Sequence, residues 1–113
     1  MDYYNSKTPP LNDYLNKNIN LVITPEFISK ITLCFDNDDL DTSIDLLKNL
    51  HPADLADLIE TLSQDYREKV IKQLSDDFPA ETLPSMNVPI LIQIIDFFEL
   101  ELLVSFFLDL GTD

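Results

Sequence analysis

Oxygen donors dominate the chemistry this chain can offer. Asp54, Asp57 and Glu60 recur at three-residue spacing, and Asp76, Asp77 and Glu81 make a second acidic group. Carboxylates without nitrogen or sulfur beside them suit hard divalent cations such as Mg²⁺, which keep several of their own waters. A plainer use competes with that one. Asp54, Asp65, Asp76 and Asp77 fall in expected first helical turns, where negative charge complements the helix dipole. General acid–base work would need two carboxyl groups driven apart in pKa by burial in a cleft, and a small helical array offers none, so the carboxylates read as a surface.

Other reactive groups point away from catalysis. Cys34 and His51 would make a nucleophile and its base, but His51 precedes Pro52 at a helix start, a position that asks for a cap or turn. Cys34 stands between Leu33 and Phe35 and reads as an inert core thiol. As the single cysteine it excludes an internal disulfide and any multi-cysteine zinc site. Asp41-Thr42-Ser43 falls short of a carrier-protein attachment serine, because Thr42 precedes Ser43 and Ile44 follows it. One glycine, Gly111, cannot build a P-loop or a dinucleotide fingerprint, both of which need several. No enzyme is expected.

The elements that carry these residues are announced by a beat. Large apolar residues recur every twelve positions at Leu50, Leu62, Leu74, Met86, Phe98 and Leu110. His51-Pro52, Ser63, Ser75 and Asn87 stand directly after four of them, and such residues start helices. Fixed-period repetition signals an array in which each unit buries its apolar face on the next. Here the unit is one helix, so a helix pair takes about twenty-four residues. The spacing predicts an all-α fold of about seven short antiparallel helices with no sheet.

Residues 1–23 show no sustained period and read as an irregular arm, with one helical turn near Asn12 to Lys17. Residues 24–113 form the helical domain. Thr24-Pro25-Glu26 is a strong helix start, and Phe27, Ile28, Ile31 and Phe35 supply the stripe of a first helix over 25–35. The acidic cluster Asp36 to Asp39 forms a turn, and a second helix runs from Leu40 and ends before Pro52. Leu55, Leu58, Ile59 and Leu62 mark the third helix. The fourth, over 64–74, sets Tyr66, Val70, Ile71 and Leu74 against a charged face of Arg67, Glu68, Lys69 and Lys72. The fifth is the weakest, since Pro79 removes a donor early and Pro84 ends or kinks it. The sixth, about 88–98, and seventh, about 100–110, are apolar on nearly every side, so they are either sandwiched in the core or covered by another surface. Gly111 stands where a left-handed C-terminal cap is expected.

With 113 residues there is room for a single modest core. Acids number 21 against 7 bases, giving a formal charge of −14, and no Lys or Arg follows Lys72. That field repels phosphate backbones and anionic lipid, which excludes nucleic acid as a partner, and it attracts cations and basic proteins. Solubility alone is the plainer use of the same charge. Val88 to Leu110 is apolar enough to raise a membrane span, but Asp96, Glu99, Glu101 and Asp109 interrupt it at a few kcal/mol each in lipid, so no direct membrane insertion is expected. The start of the chain lacks the basic and apolar regions of a signal peptide, which favours the cytoplasm. A helical monomer or weak homodimer is the expected state.

The phrase Leu50-His51-Pro52-Ala53-Asp54-Leu55-Ala56-Asp57-Leu58-Ile59 closely resembles the start of the cytosolic N domain of the MgtE family of magnesium transporters. Residues 64–74 and 75–86 continue that family's pattern of short helices ending in Leu and restarting at a polar or proline-containing turn, and the resemblance spans about 40–113. It implies a right-handed superhelix of short helices. In complete members that domain joins CBS modules, a connecting helix and a membrane pore, and Mg²⁺ between the N domain and the CBS modules holds the pore closed. Carried over by register, the family's metal ligands fall on Glu81 and Asp113. Pro79 and Pro84 depart from the strongly helical family pattern around Glu81. CBS modules and pore are not encoded within these residues, so transport by this chain alone is not expected, and Mg²⁺ is expected to bind weakly.

Two readings of different class follow. One is a cytosolic Mg²⁺-sensing regulatory domain, whole or remnant, of an MgtE-type transporter. The other is a helical protein-interaction scaffold, similar to the short-helix superhelices of the flagellar motor switch.

Overall fold

The computed structural model describes residues 22–110, and within them every regular element is helical. Six α-helices, α1 (Pro25–Asp36), α2 (Leu40–Lys48), α3 (Pro52–Thr61), α4 (Gln64–Leu74), α5 (Val88–Ile95) and α6 (Leu100–Leu110), are joined by short turns. Between α4 and α5 the chain forms two 3₁₀ segments, Ser75–Asp77 and Ala80–Ser85. No strand occurs among the described residues. Most of the arm, its expected turn at 12–17 and the Gly111 cap lie outside them.

Helix starts follow the capping chemistry of the sequence, with two differences. Thr24 Oγ1 accepts the Phe27 N–H at 3.1 Å, Asp39 Oδ1 accepts that of Thr42 at 3.3 Å, and Asn87 Oδ1 accepts that of Ile90 at 3.0 Å. His51 and Ser63 stand at N-cap positions but make no side-chain cap bond. Ser75 departs further: it closes α4 with φ 49° and ψ −122°, a strained setting for a residue with a Cβ.

The acidic turn after α1 is a Schellman closure. Asp39 N–H donates to Cys34 O at 2.8 Å and Asp38 N–H to Phe35 O at 3.2 Å, with Asp38 in the left-handed region at φ 57°. Glycine ordinarily takes that position. Aspartate is among the few residues with a side chain that tolerate it.

The residues of the twelve-step beat end the helices and enter one core. Leu62, Leu74, Met86 and Phe98 are buried, and Leu50 and Leu110 pack half-buried against the same cluster. Ile31 and Phe35 of α1, Leu55, Leu58 and Ile59 of α3, and Val70 and Ile71 of α4 complete its centre. Cys34 is buried beside them, as its apolar neighbours imply.

Pro79 and Pro84 explain the 3₁₀ region. Each lacks the N–H an α-helix would use, so 80–85 closes with tighter bonds such as Thr82 N–H to Pro79 O at 3.0 Å. This weakest stretch of the sequence is nevertheless central. Ala80, Thr82 and Leu83 are buried, the segment packs extensively on α3, and it is the main neighbour of α6. Beneath α6, Phe78, Phe98 and Phe106 meet with centroids 4.9 to 5.9 Å apart, two of the pairs edge-to-face.

Candidate functional site

Glu81 sits in the first turn of the 80–85 segment with its side chain exposed. The bend imposed by Pro79 brings it to a groove of about 660 Å³ between the 3₁₀ region and α6. Asp76, Ser105, Asp109 and Leu110 also line that groove. The expected acidic group of Asp76, Asp77 and Glu81 is therefore divided: Asp77 turns away and pairs with Lys48 at 3.2 Å. Asp109 on α6 joins the groove in its place, a meeting made by packing across the chain.

Among the described residues no three His, Cys, Asp or Glu side chains converge closely enough to hold a metal ion. Asp113 follows Leu110 closely in sequence and lies outside the described residues. The donor chemistry of the groove, carboxylates and a hydroxyl, fits a hydrated Mg²⁺ rather than a softer ion. The groove is open, with room for water between its acidic side chains.

Asp54, Asp57 and Glu60 take different roles from one another. The Asp57 carboxyl is raised above the ordinary carboxylate value, first by burial, then by repulsion from Glu60 and Asp54. Glu60 is committed elsewhere: its Oε2 accepts the backbone N–H of Asn87 at 2.6 Å. This trio is a mildly strained acidic face rather than a ligand set.

Arg67 is the functional correction to the sequence reading. Expected on an exposed charged face, it instead turns inward, part-buried. Its Nε donates to Ile59 O at 2.7 Å, Nη2 donates to Glu60 O at 3.1 Å, and Nη1 donates to Gln93 Oε1. Two C-terminal carbonyls of α3, left without helical partners, are thereby satisfied by a cation at the negative end of the helix dipole. Arg67 shares the i, i+3, i+4, i+7 stripe of Val70, Ile71 and Leu74, and that register is the signal that finds it.

A second polar tie joins α1 to α4. Tyr66 Oη donates to Asp36 Oδ1 at 2.7 Å, and Lys69 Nζ lies 5.6 Å from the Tyr66 ring centroid. That hydrogen bond, with burial and the charges of Asp36 and Asp65, raises the phenol above its ordinary value. All these groups hold helices together, and none is arranged as an acid–base or nucleophile pair.

Residues 50–113, more than half of the chain, match the profile of the MgtE intracellular N domain. The chain belongs to this family. The match begins at Leu50, the first residue of the Leu50–Ile59 phrase, and takes in α3, α4, the 3₁₀ region, α5 and α6. Glu81, the groove and Asp113 all lie within the MgtE N domain match, while α1 and α2 precede it. No match to the chain was found among curated proteins or solved structures. None of the helices among the described residues is long and apolar enough to cross a membrane.

Proposed function

We propose that this MgtE N domain is a cytosolic Mg²⁺-responsive regulatory domain of a magnesium transporter. It acts as neither enzyme nor pore, and Glu81 and Asp113 each supply part of a metal site. The observation that carries this reading is the placement of Glu81, which lies within the matched span, in an acidic groove shared with Asp76 and Asp109. Mg²⁺ supplies charge neutralisation there. The protein residues hold the groove open, present carboxylates to the ion's water shell and leave one side for a facing module. CBS modules and a membrane pore domain are the partners this implies, on the cytosolic face of the membrane. How firmly the groove and a facing module meet would then depend on the cytosolic Mg²⁺ concentration.

The charge of −14 makes the test specific. Any cation that relieves self-repulsion raises the melting temperature, so a generic effect is reproduced by NaCl at matched ionic strength. A site of roughly millimolar Kd, the range for few hydrated ligands, adds about 1.4 kcal/mol at tenfold excess of Mg²⁺. Thermal melts in MgCl₂ and matched NaCl, on the native chain and on Glu81→Ala, are expected to show an extra Mg²⁺ shift of several degrees that the substitution removes. Equal shifts in both salts, unchanged by Glu81→Ala, would leave Glu81 an ordinary solvated residue.

A further inference from the structure

We infer that the outward apolar stripe of α6 is a docking surface for a basic amphipathic helix of another protein. That side of the helix is apolar where the fold does not need it to be. On α6, Leu100, Val104, Phe107 and Leu108 are 75%, 49%, 59% and 63% exposed, while Phe106 on the opposite side fills the core. Val88 and Ile92 of α5 are 62% and 64% exposed. The twelve-residue repeat provides an internal control. Val88 and Ile92 correspond by register to Leu100 and Val104, and three repeats before Leu100, Val104 and Leu108 stand Gln64, Glu68 and Lys72. The outward positions of α4 thus carry polar side chains, and the same positions of α5 and α6 carry apolar ones. Helix-forming ability does not require that change, since polar residues occupy these positions in α4 without breaking the helix.

Spacing and charge choose the occupant. Apolar residues at i, i+4, i+7 and i+8 make the narrow stripe on which a second helix lies. Asp96, Glu99 and Glu101 are exposed where the stripe begins, and no Lys or Arg follows Lys72. A second copy would bring these acids together against a charge of −14 on each chain, and an anionic membrane would be repelled. A helix with apolar anchors and flanking Lys or Arg satisfies both the stripe and the acids at its start. This inference is independent of the Mg²⁺ reading, because Glu81 and its groove lie on the other side of α6, toward Phe106.

The test uses the full chain and a lysine–leucine amphipathic peptide of about 18 residues, five helical turns, with one Trp on its apolar side. The protein contains no Trp, so peptide fluorescence reports burial directly. A blue shift with saturable binding is expected, weakened at least about tenfold in a scrambled peptide of equal charge and in one with Glu replacing Lys. The double substitution Val104→Ser with Phe107→Ser should weaken it by a similar factor while circular dichroism stays helical. Should that variant unfold, Leu100→Ser with Leu108→Ser takes its place. Equal binding of the scrambled peptide, or of the acidic one, overturns the inference. So does a dimer in sedimentation that the peptide does not dissociate, or tighter capture of the chain by phosphatidylserine vesicles than by the peptide.

Discussion

Glu60 Oε2 accepts the backbone N–H of Asn87 at 2.6 Å, while the Glu60 carbonyl accepts from Arg67 at 3.1 Å. One residue at the end of α3 therefore receives bonds from the entrance of α5 and from α4. The twelve-residue repeat places neighbouring helix ends side by side, and these polar contacts lock their order.

Arg67→Met keeps the aliphatic stem but leaves the carbonyls of Ile59 and Glu60 and the amide of Gln93 without this donor. Urea melts are expected to show a loss of about 2–3 kcal/mol. Gln93→Ala should lose less, about 1 kcal/mol, and the double variant should lose less than the sum, since the two residues share a bond. Strict additivity would separate Gln93 from the Arg67 cluster.

Thr82 is fully buried in the 80–85 segment, which packs on α3, and its hydroxyl has no hydrogen-bond partner among the described residues. Thr82→Val keeps the shape and removes the unsatisfied group, so stability should rise by about 1 kcal/mol. For a domain of this size that is about 4–8 °C in Tm. A fall in Tm would show that the hydroxyl is used.

Asp38 carries the left-handed φ of 57° that closes α1. Asp38→Gly relieves the Cβ contact and should stabilise by up to about 1 kcal/mol after the greater freedom of the unfolded glycine is counted. Asp38→Val should destabilise by more than that. Paired thermal melts of the two variants, with opposite signs, are the check.

Asp57 has a folded pKa above its unfolded one, because burial and the neighbouring acids disfavour its charge. Its ionised form therefore subtracts from stability at neutral pH, and the deficit shrinks as pH falls through the folded pKa toward the unfolded value. Asp57→Asn should raise Tm at pH 7 by a few degrees at most, the scale of surface substitutions, and the gain should vanish near pH 3. A gain constant from pH 7 to pH 3 would place its origin outside the charge.

Much of this fold is legible in the residues because each helix carries its own boundary. Gln64 to Leu74 is bracketed by Ser63 and Ser75, and Pro25, Pro52 and Pro89 stand in first turns where a missing N–H does no harm. Pro79 and Pro84 announce a broken fifth unit, though its central packing between α3 and α6 depends on contacts far apart in sequence. The inward turn of Arg67 is masked by its charged neighbours Glu68 and Lys69, and only its register with Val70, Ile71 and Leu74 gives it away. At the candidate site, Glu81 is singled out from the sequence by the family resemblance, and the fold sets it in a groove. Asp109 is not singled out, because nothing local in α6 says that it faces the groove of Glu81. The same limit applies to the acidic trio of α3, whose regular spacing conceals that Glu60 is engaged by Asn87.

The aromatic meeting of Phe78, Phe98 and Phe106 has a bearing on the order in which the molecule opens. α6 leans chiefly on the 3₁₀ segment, which in turn leans on α3, and it is attached through Phe106 in the ring cluster and through Leu102, Leu103 and Leu110 beside it. Amide protons of α6 should exchange through local detachment while those of α3 and α4 wait for global unfolding. An element fastened mainly through one neighbour can part from the frame of α3 and α4 as a unit, so α6 sets the first seam along which these helices separate.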